Sequence, residues 1–132
     1  MKITVNEQTQ RFYLAFKRWV PVIGHEIKMG KYRFCAIPLN GHINITEVNS
    51  GCKAFVIPMN VANMLETESK EGTMNFLYRV GESLERIIGT RENFDEELKE
   101  MKKLAFERLG EMPSIEDVNT DWIFEDESEV LN

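Results

Sequence analysis

Apolar and polar residues alternate with three different rhythms along this chain, and each rhythm predicts a different kind of element. Near the start, Phe12, Tyr13, Phe16, Trp19 and Val20 recur at helical intervals up to Pro21. Thr4 and Glu7 stand ahead of them at capping-box spacing. This predicts a helix over 5–20 with an aromatic stripe, and Arg11, Lys17 and Arg18 lie off that stripe.

From 25 to 58 the rhythm shortens. Gly30-Lys31, Asn40-Gly41 and Ser50-Gly51 punctuate short runs, and Asn-Gly is a strong signal for a two-residue hairpin turn. The segment reads as a four-stranded antiparallel meander over 25–29, 32–38, 42–48 and 52–58. Turns centred at those pairs set Met29 opposite Tyr32, Leu39 opposite His42 and Asn49 opposite Cys52. One face then gathers Ile27, Met29, Phe34, Ala36, Ile43, Ile45, Ala54 and Val56 as core. The other holds Lys28, Arg33, Cys35, Ile37, Lys53, Phe55 and Ile57, and is expected to receive the aromatic stripe of the first helix. YRFCAIPLN at 32–40 is echoed by CKAFVIPMN at 52–60, as expected of two strands flanking a central one in equivalent positions.

After Asn60 the helical period returns. A short helix is expected near 61–68 with Asn60 or Asn63 as its cap, then a polar loop over 66–73. Two longer helices are expected over 74–88, closed by Gly89, and 94–109, capped by Asn93 and ended by Gly110. The short link predicts that they pack as an antiparallel hairpin on the apolar face. The fold class read from the pattern is α+β: N-terminal helix, four-stranded meander, C-terminal helical hairpin, acidic tail. Its organisation is a single body over 1–110 followed by an acidic segment over 111–132.

Charge sharpens this division. The 132 residues carry a net charge of −6, yet residues 1–60 hold eight bases against three acids, and everything after Arg108 holds eight acids and no base. Asp121, Trp122, Phe124, Glu125, Asp126 and Glu127 combine carboxylates with bulky rings, which makes them the candidate contacts to a protein partner with a basic surface. Arg11, Lys17, Arg18, Lys28, Arg33, Lys53 and the ring of Phe55 form the candidate contacts to nucleic acid, because sheet modules combine phosphate-binding cations with stacking rings.

Motifs for chemistry are sparse. The eight glycines are scattered singly and form no phosphate loop. His25, Cys35, His42 and Cys52 match a tetrahedral count, but the register divides them between two faces, so no metal or cofactor is expected. Cys35 and His42 share a face without lying opposite each other, and Thr46 is the neighbour expected for Cys35, so no catalytic residue is assigned. No apolar run reaches the roughly 18 residues of a membrane span, the first ten residues lack a leader's apolar core, and two cysteines suit a reducing compartment. A cytoplasmic location without membrane partners is the expectation, with the oligomeric state, homodimer included, left open.

In composition the chain resembles the small acidic accessory proteins of phages and mobile elements. The reading is a non-enzymatic interaction protein, a regulator or inhibitor that binds a basic, nucleic-acid-binding partner. A nucleic-acid-binding module built on the basic half is the alternative, and an enzyme of unrecognised type is the second alternative.

Overall fold

The computed structural model describes residues 1–39 and 41–119. It is an α+β fold in which a seven-stranded antiparallel sheet precedes two main helices. The strands are β1 (Ile3–Val5), β2 (Gln10–Ala15), β3 (Trp19–Met29), β4 (Tyr32–Leu39), β5 (His42–Glu47), β6 (Lys53–Pro58) and β7 (Glu116–Asp117). Their order is β6-β5-β4-β3-β2-β7, with β1 also paired to β3. The helices are α1 (Val61–Glu66), α2 (Lys70–Gly89) and α3 (Phe94–Leu109).

The helix expected over 5–20 is not formed; that stretch is strand. Phe12 and Leu14 are buried while Arg11, Tyr13 and Ala15 between them are less so, which is a period of two. Aromatic and branched residues fit a half-buried pleated surface, and here tertiary pairing overrides a spacing that also suits a helix. Thr4, read as a helix cap, sits in β1 opposite Lys28. The four-stranded meander is accordingly corrected to the central part of a larger sheet. Its first two hairpin registers stand as expected, with Met29 opposite Tyr32 and Leu39 opposite His42.

Beyond the third turn the expected register fails. Ile45 faces Phe55 but Thr46 faces Lys53, so β6 carries an extra residue in a bulge at this point. The slip turns β6 over: Phe55 and Ile57 pack on the helix side, whereas Val56, expected in the core, is 47% exposed.

Two cores result. The larger lies between the sheet and the helices and contains Ile27, Met29, Phe34, Ala36, Ile43 and Ile45 with Phe76, Leu77, Val80, Leu84, Ile88 and Phe94. The smaller lies on the opposite sheet face and joins Phe12 to Cys35, Ile37 and Val48, with Val22 and Ile115 packed against it. It exists because β3 changes partners along its length. Residues 25–29 pair with β4, residues 19–24 pair with β2, and the β2–β3 hairpin is laid over the second face. Gly24 sits at the changeover, where a Cβ would lie 2.2 Å from the carbonyl oxygen of Ala36. Only glycine lets the two backbones come so close.

α2 begins earlier than expected. Ser69, not Thr73, is its cap, and its Oγ accepts from the Gly72 N–H at 3.0 Å. Asn60 caps α1 through Oδ1, which accepts from the Asn63 N–H at 2.8 Å. Asn93 precedes α3 in the left-handed region, φ 61°, without a side-chain cap bond. That turn redirects the chain, and the expected helical hairpin is not built. α2 packs on β1 and β3. α3 instead starts at the β3–β4 turn, where Asp95 accepts from Lys31 Nζ and Tyr32 Oη, and passes Cys52, whose Sγ lies 3.9 Å from the Met101 carbonyl oxygen. It ends at the β2–β3 hairpin, where the Phe106 ring meets Trp19 edge-on at 5.6 Å and Arg108 donates to the Phe16 carbonyl. Beyond the boundary expected at Gly110 the chain returns to the body as β7, pairing with Gln10 and Arg11.

Candidate binding groove

The sheet ends at β6 on one side, and α2 lies across the helix-facing surface beside it. On α2 the residues Phe76, Arg79, Val80, Ser83, Leu84 and Ile87 recur at steps of three and four and therefore form one stripe. Together with Phe55, Val56 and Ile57 they line a groove of about 310 Å³. Apart from Arg79 and the Ser83 hydroxyl its side chains are apolar. Ile87 remains 40% exposed.

Arginines border this apolar floor. Arg79 stacks over Phe76 at 5.9 Å and donates to Glu66 at the end of α1, which holds the Glu66 carboxyl below its ordinary value and raises Arg79. Arg86 donates to Ser83 Oγ at 3.1 Å. Arg91 lies 5.8 Å over the Phe55 ring and within 3.7 Å of Glu97. Arginine over an aromatic face remains available to a carboxylate at its edge. Next to the groove, α1 buries no residue, and Val61, Met64 and Leu65 are 72%, 52% and 61% exposed. Apolar exposure gathered beside a recess is characteristic of an interaction surface.

The free edge of β6 is guarded. Lys53, the bulge at Ile45/Thr46 and Pro58 each discourage another strand from adding there. Extension of the sheet by a further strand is therefore disfavoured at this edge.

A second recess of about 300 Å³ is lined by Tyr32, Ile88, Arg91, Asn93, Phe94, Asp95 and Glu96. Lys31 and then Tyr32 hold the Asp95 carboxyl below its ordinary value, and the same contacts raise Lys31 and Tyr32. Both donors are committed to Asp95, so the cluster fastens α3 to the start of β4 and has no activated base or nucleophile to offer.

The basic candidates are distributed over several elements. Lys28 and Arg33 are cross-strand neighbours, but Arg33 Nε donates to Glu26. Arg11 pairs with Glu116 of β7 at 3.4 Å. Lys17 and Arg18 form the exposed tip of the β2–β3 hairpin, and Lys53 is exposed on β6, at the far edge of the sheet. Phe55 packs on the opposite, helix-facing side. Asp121, Trp122, Phe124, Glu125, Asp126 and Glu127 lie outside the described residues.

The thiol of Cys35 is fully buried and pushed up to about 12, chiefly by burial and then by the Glu47 charge. It stays protonated at neutral pH and is no nucleophile. Thr46 is its cross-strand neighbour, as the turns imply. Nδ1 of His25 lies 2.9 Å from the Asn6 carbonyl oxygen, while His42 stands between Leu39 and Pro58. Among the described residues no cluster of three His, Cys, Asp or Glu could hold a metal ion, and no helix is long and apolar enough to cross a membrane.

Sequence reasoning missed the groove because it assigned one apolar stripe to α2. The signal was present: Phe76 and Ile87 stand beside Leu77 and Ile88, so the helix has an apolar face wider than one core contact needs. Val61, Met64 and Leu65 likewise fall together on one side of α1 as an apolar stripe. No family model, no curated protein and no solved structure matches this chain.

Proposed function

We propose that this chain is a non-enzymatic interaction protein whose groove between α2 and β6 receives a protein segment with bulky apolar side chains flanked by carboxylates. One observation carries the reading: an open apolar recess lined in part by Arg79, with Arg86 bonded to its Ser83 and Arg91 over its Phe55, in a chain of net charge −6. The apolar floor supplies affinity and the guanidinium rim supplies orientation and selection of acidic flanks. The exposed side chains of α1 enlarge the contact.

The acidic C-terminal residues Asp121, Trp122, Phe124, Glu125, Asp126 and Glu127 give the same protein a second means of engagement, docking on a basic partner as a regulator or inhibitor would. A chain ending at Gly110 would lose β7 and the packing of Ile115, so substitutions rather than truncation test this part. The nucleic-acid alternative is less supported, since Arg11 and Arg33 are paired to acids and Phe55 faces away from Lys28.

The experiment is selection of displayed random peptides on the immobilised full chain. Selected peptides should carry two or more large apolar residues next to Asp or Glu. Ile87→Asp should weaken them about 30-fold, from loss of about 2 kcal/mol of apolar burial. Failure to enrich any peptide, or binding indifferent to Ile87→Asp and Arg79→Glu, refutes the groove as the site.

A further inference from the structure

We propose that the groove is the seat of an amphipathic α-helix supplied by a partner protein. The apolar stripe of that helix enters between α2 and β6, and carboxylates on its flank meet Arg86 and Arg79. The proposal rests on the groove being a binding site and names the conformation and side-chain spacing of what binds there.

The sheet has room for a second helix. Its helix-facing part runs β1-β3-β4-β5-β6, and neighbouring strands lie about 4.8 Å apart, so β6 is about 14 Å from β3. α2 packs on β1 and β3, α1 packs on α2, and α3 crosses the end of the sheet from the β3–β4 turn past Cys52. Among the described residues no helix is seated on β6 as α2 is on β1 and β3. Helices packed side by side have axes about 8–10 Å apart, which puts a neighbour of α2 over β5 and β6. Ile43 and Ile45 of β5 are already buried, whereas Phe55 and Ile57 of β6 are half-buried and Ile87 of α2 is exposed. Those three side chains are left for an incoming apolar stripe.

The edge of β6 argues against an extended occupant. The Met59 N–H donates to the Gly41 carbonyl at 3.0 Å. The pairs Ile57–Ile43 and Phe55–Ile45 therefore exchange the ladder bonds, and Val56 between them directs its N–H and C=O to the open edge. Along 55–57 that amounts to one donor and one acceptor, and Pro58 beyond has no N–H. An extended segment would leave most of its own backbone groups without partners against apolar side chains. A helix brings its backbone bonds with it.

The groove also sets the spacing. Ile87 stands eleven residues beyond Phe76, about 16 Å of helix. About three turns of ligand are engaged, with large apolar residues at i, i+3 or i+4, and i+7. Arg79 and Arg86 are seven residues apart and so share one side of α2, about 10 Å from each other. Glu66 occupies part of Arg79 and Glu82 stands near it, whereas Arg86 has only the Ser83 hydroxyl among the described residues. Arg86 is thus the cation most open to a carboxylate on the incoming helix. A helix of three turns is marginal in isolation, so the segment orders as it docks.

The test offers the immobilised full chain two displayed peptide libraries. One fixes leucine at i, i+3 and i+7, the spacing of a helical stripe, and the other at i, i+2 and i+4, the spacing of a strand. The helical library should be enriched about tenfold over the other, with Asp or Glu selected beside the stripe. A proline at the centre of an enriched peptide should weaken it about a hundredfold, and a lactam joining two exposed positions four apart should tighten it about tenfold. Arg86→Glu should weaken the peptide about tenfold, and changing the peptide's acids to lysine should restore binding to that variant. Enrichment of the strand library, or an internal proline without effect, overturns the proposal and leaves the groove reading in place. Helical peptides indifferent to both Ile87→Asp and Arg86→Glu overturn it as well, since they bind elsewhere. Enrichment of neither library removes the proposal and the groove together. Concentration-dependent dimerisation that Ile87→Asp abolishes also overturns it and assigns the groove to a second copy of the chain.

Discussion

Replacing Gly24 by alanine asks the sharpest question of this fold. The added Cβ would lie 2.2 Å from the Ala36 carbonyl oxygen and 2.7 Å from Ile37 Cδ1. The Ile37 methyl can turn aside, but the carbonyl belongs to β4 and is held by the sheet. Restoring an ordinary carbon–oxygen separation of about 3.3 Å requires the two backbones to part by about 1 Å. That displacement stretches the neighbouring β3–β4 hydrogen bonds beyond useful length. Overpacking of this kind costs about 1–3 kcal/mol and each weakened bond about 1 kcal/mol, so about 3–4 kcal/mol is expected. At about 4 °C per kcal/mol for a chain of this size, Tm should fall by about 12–16 °C. Urea titration followed by far-ultraviolet circular dichroism measures the loss directly, with the slope of the transition unchanged. Gly89→Ala is the control, since a Cβ there meets nothing within 4 Å, and it should be neutral or slightly stabilising. A Gly24→Ala chain that loses less than about 1 kcal/mol would show that β3 does not pass the Ala36 carbonyl as described, and the account of the second core would go with it.

Two further outcomes concern titrating groups. Cys35, held near 12, should resist thiol reagents at pH 8 until the chain is unfolded in denaturant, whereas rapid labelling of both cysteines in the native chain contradicts its burial. Because its native value lies above the unfolded one of 9.0, its contribution to stability is present below about pH 9 and should fade as the pH rises towards 12. Asp95 has the opposite sign: its native value lies below the ordinary 3.8, so its contribution is present above about pH 4 and is lost as the pH falls through the lower native value. Asp95→Asn should therefore lower the midpoint of urea unfolding at neutral pH and flatten its decline in acid. An unchanged acid limb would mean that Lys31 and Tyr32 do not depend on this carboxylate.

Much of the fold is legible where turn chemistry and period agree. Gly30 and Gly41 take positive φ at the expected turns, and from there the central strands and six of the eight expected core positions follow. α3 has the boundaries that its cap residues and charge order imply. The N-terminal segment was ambiguous for a physical reason. Phe12, Phe16 and Trp19 suit a helical stripe, while Phe12 and Leu14 suit a strand, and long-range pairing with Val22 and Val20 settles it. Local spacing contains no information about that pairing.

The bulge was illegible for a similar reason. The echoed positions Cys35 and Phe55 were expected to share a face, but the extra residue in β6 places them on opposite sides of the sheet. The groove depends on this slip, because it brings Phe55 and Ile57 to α2. A sequence pattern can indicate that β4 and β6 are alike without revealing that one is turned over relative to the other.

The attachment of β7 to β2 bears on how the chain is made. During synthesis β2 and β3 can pair as soon as Gly24 has appeared, but the strand that covers the outer side of β2 comes much later, with Glu116 and Asp117. At about 5–20 residues per second, the interval is on the order of 5–20 s, far longer than the microseconds a hairpin needs to form. Throughout that time the ribosome-bound chain presents an uncovered strand, and the two residues that β7 later pairs with are the polar Gln10 and Arg11 at its start. Gln10 and Arg11 keep that end of the strand hydrated until β7 arrives and then hold it in the finished protein through Asp117 and Glu116.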